Sequence, residues 1–341
     1  MSRLADELAL RHERVVVVAP QTAGSAGFDE SQRFRILRYP GIGRITSFLA
    51  MTLWLLGARL VQKKSYTVAS MWFPGGLAAC LLPRLLRGRL AVLAHGTEIA
   101  PERAGLRRHI MRYVFEHADV VIANSRFTHD LLVRAGIRRD VAIVHLGIDD
   151  APFAPARSAE PTVLSVGRLI ARKGFDNVIQ AFPLVLKRFP TARYEIVGAG
   201  PQRAELEALA ERDGVKDRVS FLGAVDDEGM RAAYARAWCF ALPVRASGSD
   251  VEGFGLVYLE AAIAGLPTIG GCGSGAEDAI AAGDTGLLVD GTSKAAVAEA
   301  IIALLEDPER AATMGRRGRE RALEHFTWRN TAAGIARLMA V

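Results

Sequence analysis

Cysteine is scarce. The 341 residues hold three, Cys80, Cys239 and Cys272, far apart and odd in number. They form no disulfide framework, match no metal-ligand spacing, and suit a reducing, cytoplasmic compartment. The opening residues, MSRLAD, contain no apolar stretch of the kind that begins a secretory leader. One apolar stretch, ITSFLAMTLWLLGARLV at 45–61, has seventeen residues, is interrupted by Arg59 and is followed by Lys63 and Lys64. It is at the short end for a bilayer span and reads as a buried or half-buried helix. The alternative is peripheral contact of residues 45–64 with the inner face of a membrane. A basic arm is also missing. The net charge of +6 is spread along the chain, so no nucleic-acid partner is expected, whereas a phosphorylated metabolite fits.

What is present is a regular alternation. Short β-branched runs lie at 15–18, 67–70, 90–93, 120–123 and 142–144, then at 163–166, 194–197, 219–222, 239–242, 267–269 and 287–289. Amphipathic segments such as 175–189 and 204–213 fill the gaps. Continuous apolar strands separated by helices indicate parallel sheets covered on both faces, an α/β class. The chain is too long for one ordinary core. DDAPFAPARS, around 151–158, has proline and alanine but no periodicity and reads as a linker. The expectation is two doubly wound, Rossmann-like domains, 1–150 and 159–325, facing an interdomain cleft, with 326–341 a C-terminal helix packing back on the first. The start is unusual, because a helical pattern at 2–11 precedes any strand.

Two stretches carry candidate chemistry. EGFGLVYLE, 252–260, follows the strand at 239–242 and places Glu252 before, and Glu260 within, a helix expected over 254–264. The N–H groups of Gly253, Phe254 and Gly255 would form an anion-binding terminus. From Phe254 to Glu260 such a helix rises roughly 9 Å, about the separation a diphosphate imposes on two sugars. Ionised glutamates accept hydrogen bonds from vicinal hydroxyls, so acid, phosphate cradle, acid is a consistent arrangement. The competing explanation is a helix-dipole partner and a solvated face. In the second stretch, VLSVGR ends a strand and KGF begins the next helix, which puts Arg168 and Lys173 at a strand's carboxyl end. Two cations there can hold a diphosphate and stabilise its departing charge.

Together these residues resemble the retaining EX7E glycosyltransferases of family 4, which have the GT-B fold. The likeness covers GRLIARKGFDNVI (167–179), EIVGAGP (195–201), VSFLGAV (219–225), EGFGLVYLE (252–260) and GSGAEDAI (273–280), with HGTEI (95–99) and ANSRFTHDLL (123–132) in the first half. The segment SDVEGFGLVYLEA and Trp72-Phe73 look most like phosphatidylinositol mannoside-type mannosyltransferases.

The resemblance implies a hexosyltransferase using GDP-mannose or a UDP-hexose, with a lipid-linked, polysaccharide or small-molecule acceptor. Glu252 would contact the donor hexose near the Phe254 and Gly255 amides and Leu256, and Glu260 would hold the ribose. Arg168 and Lys173 would grip the diphosphate beside Gly167. Val225 would lie near the base and His95 near the sugar being transferred. Without the likeness, His95 reads as a satisfied strand-end histidine. No Asp-x-Asp occurs, so no metal or other cofactor is expected. Asp226-Asp227-Glu228 reads instead as a helix cap and first turn. The sequence departs from the family's usual first strand and glycine-rich loop, and Ser274-Gly275 stands for a Gly-Gly pair. Two other readings stay open: a non-catalytic donor-binding protein of the same fold, and a sugar-nucleotide 2-epimerase.

Overall fold

Each apolar run becomes a parallel strand, because helical crossovers return the chain to the same end of its sheet before the next strand begins. A computed structural model describes residues 1–11, 14–41, 43–61, 66–99, 105–149, 156–247 and 250–340. Its strands are β1 Val16–Pro20, β2 Arg35–Tyr39, β3 Tyr66–Ala69, β4 Arg89–Ala94, β5 Val120–Ala123, β6 Val141–Ile143, β7 Thr162–Val166, β8 Arg193–Val197, β9 Val219–Gly223, β10 Cys239–Leu242, β11 Thr268–Gly271 and β12 Gly286–Val289. The chain divides into two Rossmann-like units, Met1–Gly147 with Trp328–Val341, and Ile148–Thr327. Most of the linker stretch, 151–155, lies outside the described residues.

The second unit is one six-stranded parallel sheet in the order β12-β11-β10-β7-β8-β9. Strand order reverses between β7 and β10, which pair through Cys239 with Val163 and Phe240 with Leu164. At such a switch point the following helices leave to opposite faces and open a crevice at the strands' carboxyl ends. Both strands are buried along their whole length, so only the loops that follow them are available for function.

The first unit has a four-stranded parallel sheet, β3-β4-β5-β6, and a separate parallel pair, β1 and β2. The helix Ser2–Arg11 packs with the helix Trp328–Met339 over the larger sheet, through Leu4, Leu8, Ala332, Ile335 and Met339 against Ala91, Leu93 and Ile122. Strand β2 is absent from the apolar-run reading. Its sequence, RILRY, is interrupted by Arg35 and Arg38, which fall on opposite faces of the strand.

The helix Arg44–Val61 covers the apolar stretch. Met51 is buried in a cluster with Tyr39 and Ala78. The half-buried reading holds for one face only. Ile45, Leu49, Leu53 and Trp54 are exposed, Ile45 by 77 % and Leu53 by 68 %. Arg59 is buried instead, donating from Nε to the Leu86 carbonyl at 2.6 Å, and burial lowers its pKa. Lys63 and Lys64 lie outside the described residues. Among the described residues, no helix is long and apolar enough to cross a membrane.

Candidate functional site

The loops after β7 and β10 leave neighbouring strands in the same direction, so they meet. The first runs through Gly167, Arg168 and a short helical turn, Ala171–Lys173, into the helix Phe175–Arg188. The second runs from Pro243 to Gly255. The Arg245 N–H donates to the Arg172 carbonyl at 2.9 Å and ties the two together. Across that join, Lys173 Nζ lies 2.6 Å from Glu252 Oε2. Arg172 Nη1 pairs with the same oxygen, and Arg172 Nε lies 3.0 Å from Asp250 Oδ1. The side chains of Arg172, Lys173 and Glu252 are only 11–12 % exposed. Gly167 lies under the stem of Lys173, where an added Cβ would be 3.5 Å from Cε. Arg168 is exposed and takes no part in this cluster.

The helix behind Glu252 starts later than its sequence suggests. It spans Leu256–Ile263, capped by Gly255 in a left-handed conformation at φ +83°. That conformation turns the chain just before the helix, so Leu256 and Val257, rather than Gly253 to Gly255, begin the helical N–H groups. The rise from Leu256 to Glu260 is correspondingly about 6 Å, not the longer span expected. Phe254 is buried against Phe326, with ring centroids 5.8 Å apart. Tyr258 donates its hydroxyl to the Leu242 carbonyl at 2.5 Å. The loop after β11 locks in from the other side, where the Gly275 N–H donates to the Glu252 carbonyl at 2.9 Å. A side chain at Gly275 would collide with the Gly253 carbonyl and the Phe254 amide. This close approach explains glycine there.

Glu260 is solvent-accessible. Protein nevertheless surrounds its carboxyl closely enough for desolvation to raise its pKa, against the lowering effects of a hydrogen bond from Tyr234 and the charge of Lys173. Tyr234 OH donates to Glu260 Oε2 at 3.1 Å, leaving Oε1 for another partner. Val225 is half-buried after β9. The acidic triplet beside it caps the helix Asp227–Arg236, with Asp226 accepting from the Gly229 N–H, as its sequence predicts. Leu256 is half-buried at the start of its helix.

His95 belongs to the first unit, at the carboxyl end of β4. Its Nε2 is 2.8 Å from the Ser70 carbonyl. A carbonyl only accepts, so Nε2 carries the proton and Nδ1 is an acceptor in the neutral ring. The His95 N–H donates to the buried Glu98 carboxylate at 2.6 Å, which fixes the loop that presents the ring.

The structure thus brings Lys173 and Glu252 together beside Gly167, and leaves Arg168 on the open side of the same loop. Sequence reading missed Arg172, Asp250 and Tyr234. Arg172 reads as one more cation in a loop, and Asp250 as a polar neighbour of Glu252. Tyr234 reads as a core aromatic. Among the described residues, no group of three or more His, Cys, Asp or Glu is placed to hold a metal ion.

Comparison with known proteins follows the same division. Residues 149–321 match the family model "Glycosyl transferases group 1" and residues 1–151 match "Glycosyltransferase Family 4". The GDP-mannose-dependent alpha-(1-6)-phosphatidylinositol monomannoside mannosyltransferase of Mycolicibacterium smegmatis is 34% identical, over 98% of this chain and 92% of the relative. Sucrose-phosphate synthase from Thermosynechococcus elongatus superposes with a TM-score of 0.79 at 25% identity, covering 99% of this chain and 91% of that one. Anabaena Alr3699/HepE in complex with UDP and glucose superposes with a TM-score of 0.81 at 20% identity, covering 99% and 95%, and shares the GT-B fold.

Proposed function

The chain belongs to the glycosyltransferases, with a group 1 domain and a family 4 domain, and from that premise we propose that it transfers mannose from GDP-mannose to a lipid-linked or glycan acceptor, retaining the anomeric configuration. The observation that carries this reading is the meeting of Lys173 and Glu252 at the switch point between β7 and β10. Cations on a strand-end loop suit a diphosphate, and an ionised carboxylate beside them suits sugar hydroxyls. The mannosyl donor and the lipid-linked acceptor are supported by the relative at 34% identity, whose name specifies both.

In this reading the bond between the sugar's anomeric carbon and the diphosphate oxygen breaks, and its electrons leave with GDP. Arg168 and Lys173 stabilise that charge, so the transfer needs no divalent ion. The acceptor hydroxyl attacks the same face and its proton passes to the departing phosphate oxygen. Glu252 holds the hexose beside Gly253, Phe254, Gly255 and Leu256. Glu260 accepts from the ribose through Oε1 and Val225 borders the base, while a part for His95 rests on the resemblance of HGTEI to the family. The exposed apolar face of the helix Arg44–Val61 would hold the enzyme at the surface of the membrane that carries its acceptor.

Nucleotide release with GDP-mannose, UDP-glucose and UDP-GlcNAc tests the reading. GDP should be released from GDP-mannose in preference to UDP from the others, undiminished by EDTA, and the product should keep the α configuration by NMR. Binding without release, with or without acceptor lipid, would instead make the protein a non-catalytic donor binder. Interconversion of donor sugars would make it an epimerase.

A further inference from the structure

We propose that Arg172 is the positioning residue that keeps Glu252 in place when Lys173 turns from it to the donor diphosphate, an inference that rests on the function proposed above. Both cations reach the same carboxylate oxygen, Glu252 Oε2. Asp250 and Glu252 are offset by Arg172 and Lys173, so the cluster is neutral as it stands. A diphosphate brings further negative charge to the Gly167 loop, where the Lys173 stem lies. The lysine ammonium, a point charge on a flexible four-carbon stem, can follow that charge.

Arg172 cannot. Its Nη1 donates to Glu252, its Nε faces Asp250 Oδ1 at 3.0 Å as an ion pair outside hydrogen-bond geometry, and its carbonyl accepts from the Arg245 N–H at 2.9 Å. A planar guanidinium hydrogen-bonded to Glu252, attracted by Asp250 and carried on a backbone tied to the neighbouring loop keeps its direction, whereas a single ammonium does not. With Arg172 present, Glu252 keeps one fixed cation on Oε2, and Oε1 stays aimed at the sugar. With Arg172 absent, the half-buried carboxylate has only a partner that the phosphate also attracts. Removing one member of such a pair leaves the other charge poorly compensated. Glu252 would then either hold Lys173 back from the diphosphate or swing away from the hexose.

The two possible roles of Arg172 separate in kinetics. A phosphate-binding arginine lowers nucleotide affinity and turnover together, whereas one that aims Glu252 lowers turnover alone. Arg172→Gln should therefore reduce kcat for GDP release from GDP-mannose by about tenfold or more, while the Kd for GDP stays within about threefold of the parent. Asp250→Asn removes the second charge that the guanidinium faces and should show the same split in smaller measure. Arg172→Lys should recover part of kcat, because an ammonium can meet Glu252 but not both carboxylates. Unchanged GDP binding reports that the variant is folded; should Arg172→Gln not fold, Asp250→Asn carries the test. Parallel losses of GDP affinity and kcat, or no loss in either, would overturn the proposal. A parent protein that releases no GDP from GDP-mannose, or an Arg168→Ala variant that binds GDP as the parent does, would overturn the reading beneath it as well.

Discussion

Tyr234 and Glu260 stand on two helices that flank the same strand, β10, with the phenol 3.1 Å from the carboxylate oxygen Oε2. Burial raises the Glu260 pKa from its ordinary value of 4.5, and the Tyr234 hydrogen bond opposes the rise. If Oε1 accepts from a ribose, GDP affinity should fall on acidification, with a midpoint above 4.5 in the parent. Tyr234→Phe removes the opposing hydrogen bond and should move the midpoint higher still. Glu260→Gln should lose the dependence. Calorimetric titration of GDP across pH checks all three.

The same shift has a stability consequence of opposite sign. A carboxyl with a raised folded pKa stabilises the fold when protonated, fully below the unfolded value of 4.5. That contribution disappears as pH rises through the folded pKa. Glu260→Gln should therefore gain stability relative to the parent at neutral pH and lose that gain near pH 4. Urea midpoints at the two pH values measure the difference.

Glu252→Ala should reduce turnover far more than it reduces GDP affinity, because the carboxylate is assigned to the sugar rather than to the leaving group. Arg168→Ala should weaken GDP by roughly tenfold, the scale of one charge-assisted hydrogen bond. Steady-state kinetics beside GDP titrations distinguish the two. Equal losses of affinity and turnover in Glu252→Ala would remove its assignment.

Gly255 has φ +83°, and a Cβ there would lie 2.6 Å from the Tyr258 ring. Gly255→Ala should cost about 1–3 kcal/mol in chemical denaturation, from the left-handed backbone and the displaced ring together. Tyr258 anchors the helix start through the Leu242 carbonyl, so donor binding should weaken with stability. An unchanged denaturation midpoint would show that the ring yields at no cost.

The exposed row Ile45, Leu49 and Leu53 recurs at helical spacing, with Trp54 beside it. The parent should sediment with anionic liposomes, and Leu49→Glu with Leu53→Glu should abolish this without lowering stability, since both positions are exposed. Parent protein that stays in the supernatant would remove the membrane contact.

The local content of this fold is legible in its residues. The runs at 90–93, 120–123 and 239–242 are apolar along their length and read as buried parallel strands. Asp226 declares a helix start, and Ser2–Arg11 an amphipathic helix. Strand β2 is not legible in the same way, because Arg35 and Arg38 break its apolar run and only pairing with β1 gives it a place. The late start of the helix Leu256–Ile263 depends on the left-handed turn at Gly255, and glycine permits such a turn without requiring it.

What the sequence determined by itself is the alternation of strands and helices, the family that its ordered motifs identify, and the residue types available at each strand end. Lys173 and Glu252 are 79 residues apart, and nothing in that interval states that β10 pairs with β7 rather than with β9. Strand order is decided by how the crossovers bury helices on both faces of the sheet. That choice selects which loops meet, which cations share a carboxylate, and that Arg172 is held while Arg168 is left open.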